Sequence, residues 1–152
     1  MIKLNFDIKM NRKRVACFDL DHTLIKPKSG KTFPVNKNDW TWIYNNIPDK
    51  LKELYDGNFN IIIFTNQLGI SKNKTNREDI VFKINSIQKE LNFPILAYIA
   101  FKDDNYRKPR IGCWKDLKNN YKNKINKKES FYVGDMAGRI KNMNFKKDRN
   151  DS

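Results

Sequence analysis

The stretch that decides the fold is Val15-Ala16-Cys17-Phe18-Asp19-Leu20-Asp21-His22-Thr23, in which a short apolar run ends on two carboxylates one residue apart. An apolar run of this length predicts a buried strand. Ligands of open α/β sheets bind just outside the carboxyl ends of the strands, so Asp19 and Asp21 are predicted to lie at a ligand-binding edge. Two carboxylates this close repel each other unless a proton or a divalent cation neutralises them, which predicts a hard, oxygen-preferring ion such as Mg²⁺. A solvated acidic turn is the alternative interpretation.

Three later apolar runs are also followed by a polar group: a hydroxyl, an ammonium and a carboxylate. Each of these polar residues, taken alone, has a structural explanation, as a helix cap, a solvated side chain or a turn residue. Together with the carboxylate pair they predict a single site. The runs and their followers are 61–64 with Thr65, 95–100 with Lys108, and 131–133 with Asp135.

Apolar stripes with helical spacing separate these runs. Strands alternating with helices imply a mostly parallel sheet with right-handed crossovers, that is, a three-layer α/β fold. The stripes predict core faces of helices. They are Leu51, Leu54 and Tyr55 before a stop at Gly57; Ile80, Ile84, Ile87 and Leu91 before Pro94; and Trp114, Leu117 and Tyr121.

Length and composition predict one globular domain over residues 1–152, with 39% hydrophobic and 12% aromatic residues. Residues 1–14 are interpreted as an amino-terminal extension, in which Ile2, Leu4, Phe6 and Ile8 alternate with polar residues as in a strand. No run is long enough to span a membrane and the amino terminus has no signal-peptide core, so an intracellular location without membrane association is expected.

The formal net charge is +14, which favours a polyanionic partner such as nucleic acid. The surplus of Lys, Asn and Ile is equally what an A+T-rich genome produces without functional cause, and both explanations stay open. Four aromatic residues offer stacking faces for unpaired bases, although core packing is the commoner fate of such side chains. They are Trp40, Trp42, Phe101 and Tyr106.

The set Asp19-Leu20-Asp21-His22-Thr23, Thr65, Lys108 and Gly134-Asp135 resembles the four motifs of haloacid dehalogenase superfamily phosphatases. Further stretches resemble the 3′-phosphatase domain of polynucleotide kinase/phosphatase. These are Ser29-Gly30-Lys31-Thr32-Phe33-Pro34, Asp39-Trp40, Ile47-Pro48, Phe64-Thr65-Asn66-Gln67, Tyr106-Arg107-Lys108-Pro109 and Val133-Gly134-Asp135-Met136-Ala137-Gly138-Arg139. The resemblance implies a Rossmann-like haloacid dehalogenase fold with little or no cap, and a Mg²⁺-dependent polynucleotide 3′-phosphatase active in DNA strand-break repair.

The resemblance also implies roles for individual residues. Asp19 is the expected nucleophile, which forms an aspartyl-phosphate, and Asp21 is the expected general acid and base. Thr65 and Lys108 are expected to bind the phosphoryl group. The metal is expected on Asp19, the backbone carbonyl of Asp21, and Asp135. The expected substrate-binding residues are Thr23, Asn66, Tyr106, Arg107 and Arg139.

The expected partner is a nucleic-acid end bearing a 3′-phosphate, DNA rather than RNA, bound by a monomer. One alternative is a small-molecule phosphatase for histidinol phosphate or sugar bisphosphates; another is a catalytically decayed nucleic-acid-binding module. His22 stands where these phosphatases most often carry glycine, and a side chain there either touches substrate or packs beside the turn. The carboxyl end is interpreted as truncated, which predicts an unpaired sheet edge.

Overall fold

The computed structural model describes residues 2–5, 12–67, 76–100, 117, 119, 125–126, 128–134 and, for the backbone alone, 141–144. A six-stranded sheet forms its centre. Its strands, in chain order, are β1 (Ile2–Leu4), β2 (Arg14–Asp19), β5 (Phe59–Asn66), β6 (Leu96–Ala100), β7 (Phe131–Gly134) and β8 (Lys141–Asn144). A second sheet pairs β3 (Ile25–Lys26) with β4 (Thr41–Trp42). The helices are α1 (Ile47–Asp56) and α2 (Arg77–Leu91).

The strand order in the large sheet is β1-β6-β5-β2-β7-β8. The four inner strands are parallel, and the strand at each edge is antiparallel to its neighbour. The mostly parallel α/β sheet is therefore confirmed. β2 lies between β5 and β7, so the carboxylates that follow it are at the middle of the sheet edge.

Side chains alternate between two apolar clusters, one on each face of the sheet, because successive residues of a strand point to opposite sides. Ala16 and Phe18 belong to the cluster that α1 and α2 cover, whereas Val15 and Cys17 belong to the cluster that includes Leu117 and Ile125. Both faces of β2 are thus buried. Its near-continuous apolar run is typical of such a strand.

Capping hydrogen bonds and left-handed residues account for the ends of the two predicted helices. α1 ends at Asp56, one residue before Gly57, but the residue with left-handed backbone is Asn58, at φ 74°. α2 begins after Asn76, whose side chain accepts a hydrogen bond from the Asp79 N–H at 2.8 Å. It ends at Leu91, and the next residue, Asn92, has a left-handed backbone two residues before Pro94. The third predicted helix lies outside the described residues except for Leu117 and Asn119.

Two predictions about the sheet edges have different outcomes. The amino-terminal strand is confirmed over Ile2–Leu4, which pairs with β6, while Phe6 and Ile8 lie outside the described residues. A truncated carboxyl end is expected to leave an edge of the sheet unpaired, but Lys141–Asn144 forms a further strand there and pairs with β7. The polar sequence of this segment carries little strand signal, and the pairing depends on its partner strand. No helix among the described residues is long and apolar enough to cross a membrane.

Candidate active site

A tight turn follows β2 and carries both carboxylates. Asp19 is the last residue of β2, and its Oδ1 accepts a hydrogen bond from the Leu20 N–H at 2.9 Å. The Leu20 carbonyl accepts from Leu24 and Ile25, at 3.0 and 3.1 Å, which closes the turn. The chain therefore reverses within a few residues and holds Asp21, which is half-buried, next to the end of β2.

His22 occupies the tightest point of this turn, with φ at 62°. That left-handed backbone region favours glycine, because a Cβ crowds the backbone there. The His22 side chain is exposed to solvent, and its N–H donates to the Ile25 carbonyl at 2.8 Å. The observation explains in physical terms why glycine suits this position.

Gln67 connects the carboxylate turn to the hydroxyl at the end of β5. Its Nε2 donates to Asp21 Oδ2 at 3.1 Å and to Thr65 Oγ1 at 2.9 Å. Thr65 is 2% exposed, so its hydroxyl is positioned by packing as well as by this bond. The structure thus brings together two of the predicted catalytic residues, Asp21 and Thr65, through a third side chain that the sequence interpretation did not assign.

β7 ends beside the same carboxylates. The register pairs Phe18 with Val133, so Gly134 lies at the level of Asp19. A Cβ on Gly134 would lie 2.9 Å from a ring carbon of Tyr132, so a larger residue at this strand end would require the Tyr132 ring to shift. Asp135 follows in the sequence and lies outside the described residues.

The donor chemistry of this edge fits Mg²⁺, which prefers carboxylate and carbonyl oxygens. Asp19 offers a carboxylate, and the predicted contribution of Asp21 is its backbone carbonyl. Across the described part of the chain, no group of three His, Cys, Asp or Glu side chains is arranged to hold a metal by itself. Asp135 is the further predicted ligand.

The remaining predicted residues divide into two groups. Asn66 is half-buried at the end of β5, where it pairs with Ala100. The buried Oγ1 of Thr23 has no hydrogen-bond partner among the described residues. The rings of Trp40 and Trp42 pack edge to face, with 5.3 Å between their centroids. Both pack against the core, so they contribute to core packing. Five predictions lie outside the described residues: Phe101, Tyr106, Arg107, Lys108 and Arg139.

A long exposed loop connects β3 to β4, directly after the carboxylate turn. Asp39 holds it: its carboxylate accepts hydrogen bonds from Ser29 N–H at 2.7 Å, Ser29 Oγ at 2.7 Å and Val35 N–H at 2.9 Å. The bond from the Val35 N–H and then that from the Ser29 hydroxyl lower the pKa of Asp39 below its usual value. The loop is thereby ordered although most of its residues face solvent.

The same loop presents an aromatic ring among cations. Phe33 is 77% exposed, and the nearby Lys26, Lys28 and Lys31 are exposed as well. Lys37 differs, since its Nζ lies 4.3 Å from the centroid of the Phe82 ring on α2. An exposed apolar ring on the same loop as exposed positive charges suits binding of unpaired nucleotides. We name residues 26–33 the basic-aromatic loop.

The fold is similar to that of solved phosphatase structures, one of which is described as HAD-like. A crystal structure from Mesorhizobium loti, described as a HAD-like phosphatase, superposes with a TM-score of 0.68 at 16% identity, covering 86% of this chain and 67% of that one. The D,D-heptose 1,7-bisphosphate phosphatase of B. bronchiseptica, solved with magnesium and phosphate, gives a TM-score of 0.58 at 16% identity, covering 70% and 62%. At these identities the likeness establishes the fold alone.

Residues 14–152 match the family model described as polynucleotide kinase 3 phosphatase, and the chain belongs to that family. It is 38% identical over 141 residues to an uncharacterized 20.8 kDa protein of Autographa californica nuclear polyhedrosis virus. It is 40% identical over 132 residues to the bifunctional polynucleotide phosphatase/kinase of Schizosaccharomyces pombe, and 36% over 143 residues to the polynucleotide 3′-phosphatase ZDP of Arabidopsis thaliana.

The matched parts of these relatives differ in extent. The alignments cover 93%, 87% and 84% of this chain, respectively. They cover 76% of the baculovirus protein but only 32% of the yeast protein and 20% of the Arabidopsis protein. The chain thus corresponds to one part of the two named enzymes.

Proposed function

We propose that this chain is a Mg²⁺-dependent phosphatase that removes the 3′-phosphate from nucleic-acid ends, in the repair of DNA strand breaks. The observation that carries the proposal is the meeting of Asp19, Asp21 and Thr65 at the carboxyl ends of β2 and β5, with Gln67 bonded to two of them. Family membership supports phosphomonoester hydrolysis. The names of the yeast and Arabidopsis relatives support a polynucleotide substrate with a 3′-phosphate.

In the proposed reaction, a carboxylate oxygen of Asp19 attacks phosphorus in line with the 3′ oxygen. The new O–P bond forms as the P–O3′ bond breaks, and the departing 3′ oxygen takes a proton from Asp21. Water then attacks the aspartyl-phosphate, giving its proton back to Asp21 and releasing inorganic phosphate from Asp19. Both carboxylates thereby return to their starting states.

Mg²⁺ would be held by Asp19, the backbone carbonyl of Asp21, and Asp135, and when bound it neutralises charge on the phosphoryl oxygens. The proposed role of Thr65 is to donate its hydroxyl hydrogen to a phosphoryl oxygen. That of Lys108 is to pair with the phosphoryl group and Asp19. The further proposed substrate contacts are Thr23, Asn66, Tyr106, Arg107 and Arg139.

The basic-aromatic loop supports a polymeric substrate. Its exposed Phe33 and three lysines lie on the chain segment that leaves the carboxylate turn through β3. We also propose that the protein is an intracellular monomer and that it acts on DNA rather than RNA.

The test is phosphate release from a single-stranded oligonucleotide with a 3′-phosphate, in the presence of Mg²⁺. We expect selective 3′ release over a 5′-phosphate control and over histidinol phosphate, and loss of release with EDTA. Asp19→Asn should reduce turnover by at least about 10³-fold at unchanged melting temperature. Activity on histidinol phosphate alone would contradict the proposed substrate.

The matched control for this variant is Asp56→Asn. Asp56 is an exposed acid whose carboxylate pairs with Lys52 at 2.9 Å on the surface of α1. The same loss of one negative charge there should leave turnover unchanged, since exposed ion pairs contribute little. Near-normal turnover by Asp19→Asn would refute the nucleophile assignment.

A further inference from the structure

We infer that Gln67 is a positioning residue, which holds the general acid Asp21 and the phosphate-binding hydroxyl of Thr65 in one geometry. The inference rests on the proposed function. It starts from the fact that a single amide nitrogen, Gln67 Nε2, lies within hydrogen-bond distance of both groups, at 3.1 Å from Asp21 Oδ2 and 2.9 Å from Thr65 Oγ1.

The backbone of Gln67 is itself fixed. Its N–H donates to the Ala100 carbonyl at 2.6 Å, directly after the pairing of Asn66 with Ala100 at the ends of β5 and β6. Gln67 therefore extends the sheet edge by one hydrogen bond. A side chain that starts from such a point reaches Asp21 and Thr65 with few conformations open to it, and this is what makes it suited to orient them.

Both hydrogens of the Gln67 amide nitrogen have an acceptor. Oδ2 of Asp21 accepts a hydrogen bond both when the carboxyl group is ionised and when Oδ1 carries the proton to be transferred, so the amide turns its NH₂ group toward Oδ2. One hydrogen of that group goes to Asp21 and the second to the Thr65 oxygen. Because Thr65 accepts here, its own hydroxyl hydrogen remains to be donated to a phosphoryl oxygen.

The two carboxyl oxygens of Asp21 therefore have different roles. Gln67 holds Oδ2, which leaves Oδ1 to face the leaving 3′ oxygen. Without Gln67 the carboxyl group rotates among orientations of which few can transfer the proton. The effect should appear mainly in departure of the leaving group, because that step uses the acid.

The test compares two substrates in Gln67→Leu. For the 3′-phosphate oligonucleotide, whose alkoxide leaving group needs a proton, we expect kcat/KM to fall by about 10- to 100-fold. For p-nitrophenyl phosphate, whose aryloxide leaves readily without one, the fall should be less than about threefold, because the buried Thr65 is also held by packing and keeps its place near the phosphoryl group. The constant kcat/KM is used because it reports the steps up to release of the leaving group.

A second variant and a matched control guard against a folding defect. Gln67→Met keeps the length and flexibility of the side chain without the amide and should show the same substrate-dependent loss. The control is Gln88→Leu, since the amide oxygen of Gln88 accepts from Asn5 and Ile95, at 2.5 and 2.9 Å. That variant should lower the melting temperature without changing the ratio of kcat/KM between the two substrates.

Equal losses on both substrates, or no loss on either, would overturn the inference. If the wild-type chain releases no phosphate from the oligonucleotide, the proposed function is refuted and the inference with it. An active wild type with a normal Gln67→Leu variant would refute the inference alone.

Discussion

The guanidinium of Arg12 lies 3.9 Å from the centroid of the Tyr55 ring, and its Nη1 donates to the Tyr55 carbonyl at 2.7 Å. The same nitrogen donates to the Phe59 carbonyl at 2.9 Å. Arg14 repeats the arrangement, with a hydrogen bond to the Gly57 carbonyl and its guanidinium 4.4 Å from the Phe59 ring centroid. α1, which the structure describes throughout, has no basic residue in its last turn, so these arginines supply the positive charge that a helix carboxyl end favours.

Arg12→Ala should therefore lower stability and not activity. We expect the free energy of unfolding to fall by about 1–3 kcal/mol, because two hydrogen bonds and a cation–π contact are lost. Denaturant unfolding measures the loss, and kcat on the oligonucleotide should stay unchanged. Lys13→Ala is the matched control, since Lys13 is exposed and its variant removes the same charge. Equal destabilisation by both variants would contradict the structural role.

His22 provides a separate test of the carboxylate turn. In His22→Gly the left-handed backbone no longer costs about 1–2 kcal/mol in the folded state. The greater flexibility of glycine in the unfolded chain lowers the free energy of unfolding by about 0.4–1 kcal/mol, so net stability should stay equal or rise slightly. His22→Val should lose roughly 1 kcal/mol or more, because a β-branched residue fits this region poorly. Thermal unfolding of both variants measures the difference.

The glycine variant also tests catalysis by the imidazole. Because the His22 side chain is exposed and Asp21 has the proposed acid and base role, kcat should be retained in His22→Gly. A drop of about 100-fold or more in a folded variant would make His22 part of the catalytic machinery.

The sequence predicts the centre of this fold well, for a physical reason. The four apolar runs are the cores of the parallel strands β2, β5, β6 and β7, so composition alone marks them. The interiors of β2, β5 and β6 are buried, and the apolar residues of β7 are half-buried. The sequence does not predict short or polar strands such as Thr41–Trp42 and Lys141–Asn144, because their pairing depends on distant partners.

The same reasoning separates the predictable part of the site from the rest. Asp19, Asp21 and Thr65 lie at or just after the ends of apolar runs, a position that the sequence shows. The contact of Gln67 with Asp21 spans 46 positions and depends on the register of β2 and β5, so no local pattern indicates it. Lys108 and Asp135 lie outside the described residues and stay predictions.

Asp39 makes the order of the loop between β3 and β4 dependent on pH. Its pKa is lowered in the folded chain, so its contribution is present above the ordinary value of 3.8 and is lost as pH falls through the lower folded value. Asp39→Asn should be less stable than the wild type at neutral pH, and the difference should shrink below that ordinary value. Melting temperatures of both proteins from neutral to acid pH measure it. A difference that stays constant throughout would show that the carboxylate charge is irrelevant.

Phe33 should bind an unpaired base, because its ring is exposed among lysines on the basic-aromatic loop. Base stacking contributes about 1–3 kcal/mol, so Phe33→Ala should weaken binding of a single-stranded oligonucleotide at least about fivefold. Fluorescence anisotropy with the 3′-hydroxyl product measures the dissociation constant. The kcat/KM for p-nitrophenyl phosphate should be unaffected, since that substrate has no base to stack.

Two matched variants separate stacking from charge and from general surface effects. Tyr44→Ala removes another exposed aromatic ring, 60% accessible and outside the loop, and should not change binding. We expect Lys31 to contact one phosphate of the oligonucleotide, so Lys31→Ala should reduce the slope of log affinity against log salt by about one, whereas Phe33→Ala should leave the slope unchanged. Equal weakening by Tyr44→Ala and Phe33→Ala would assign the effect to the surface at large and not to a base stacked on Phe33.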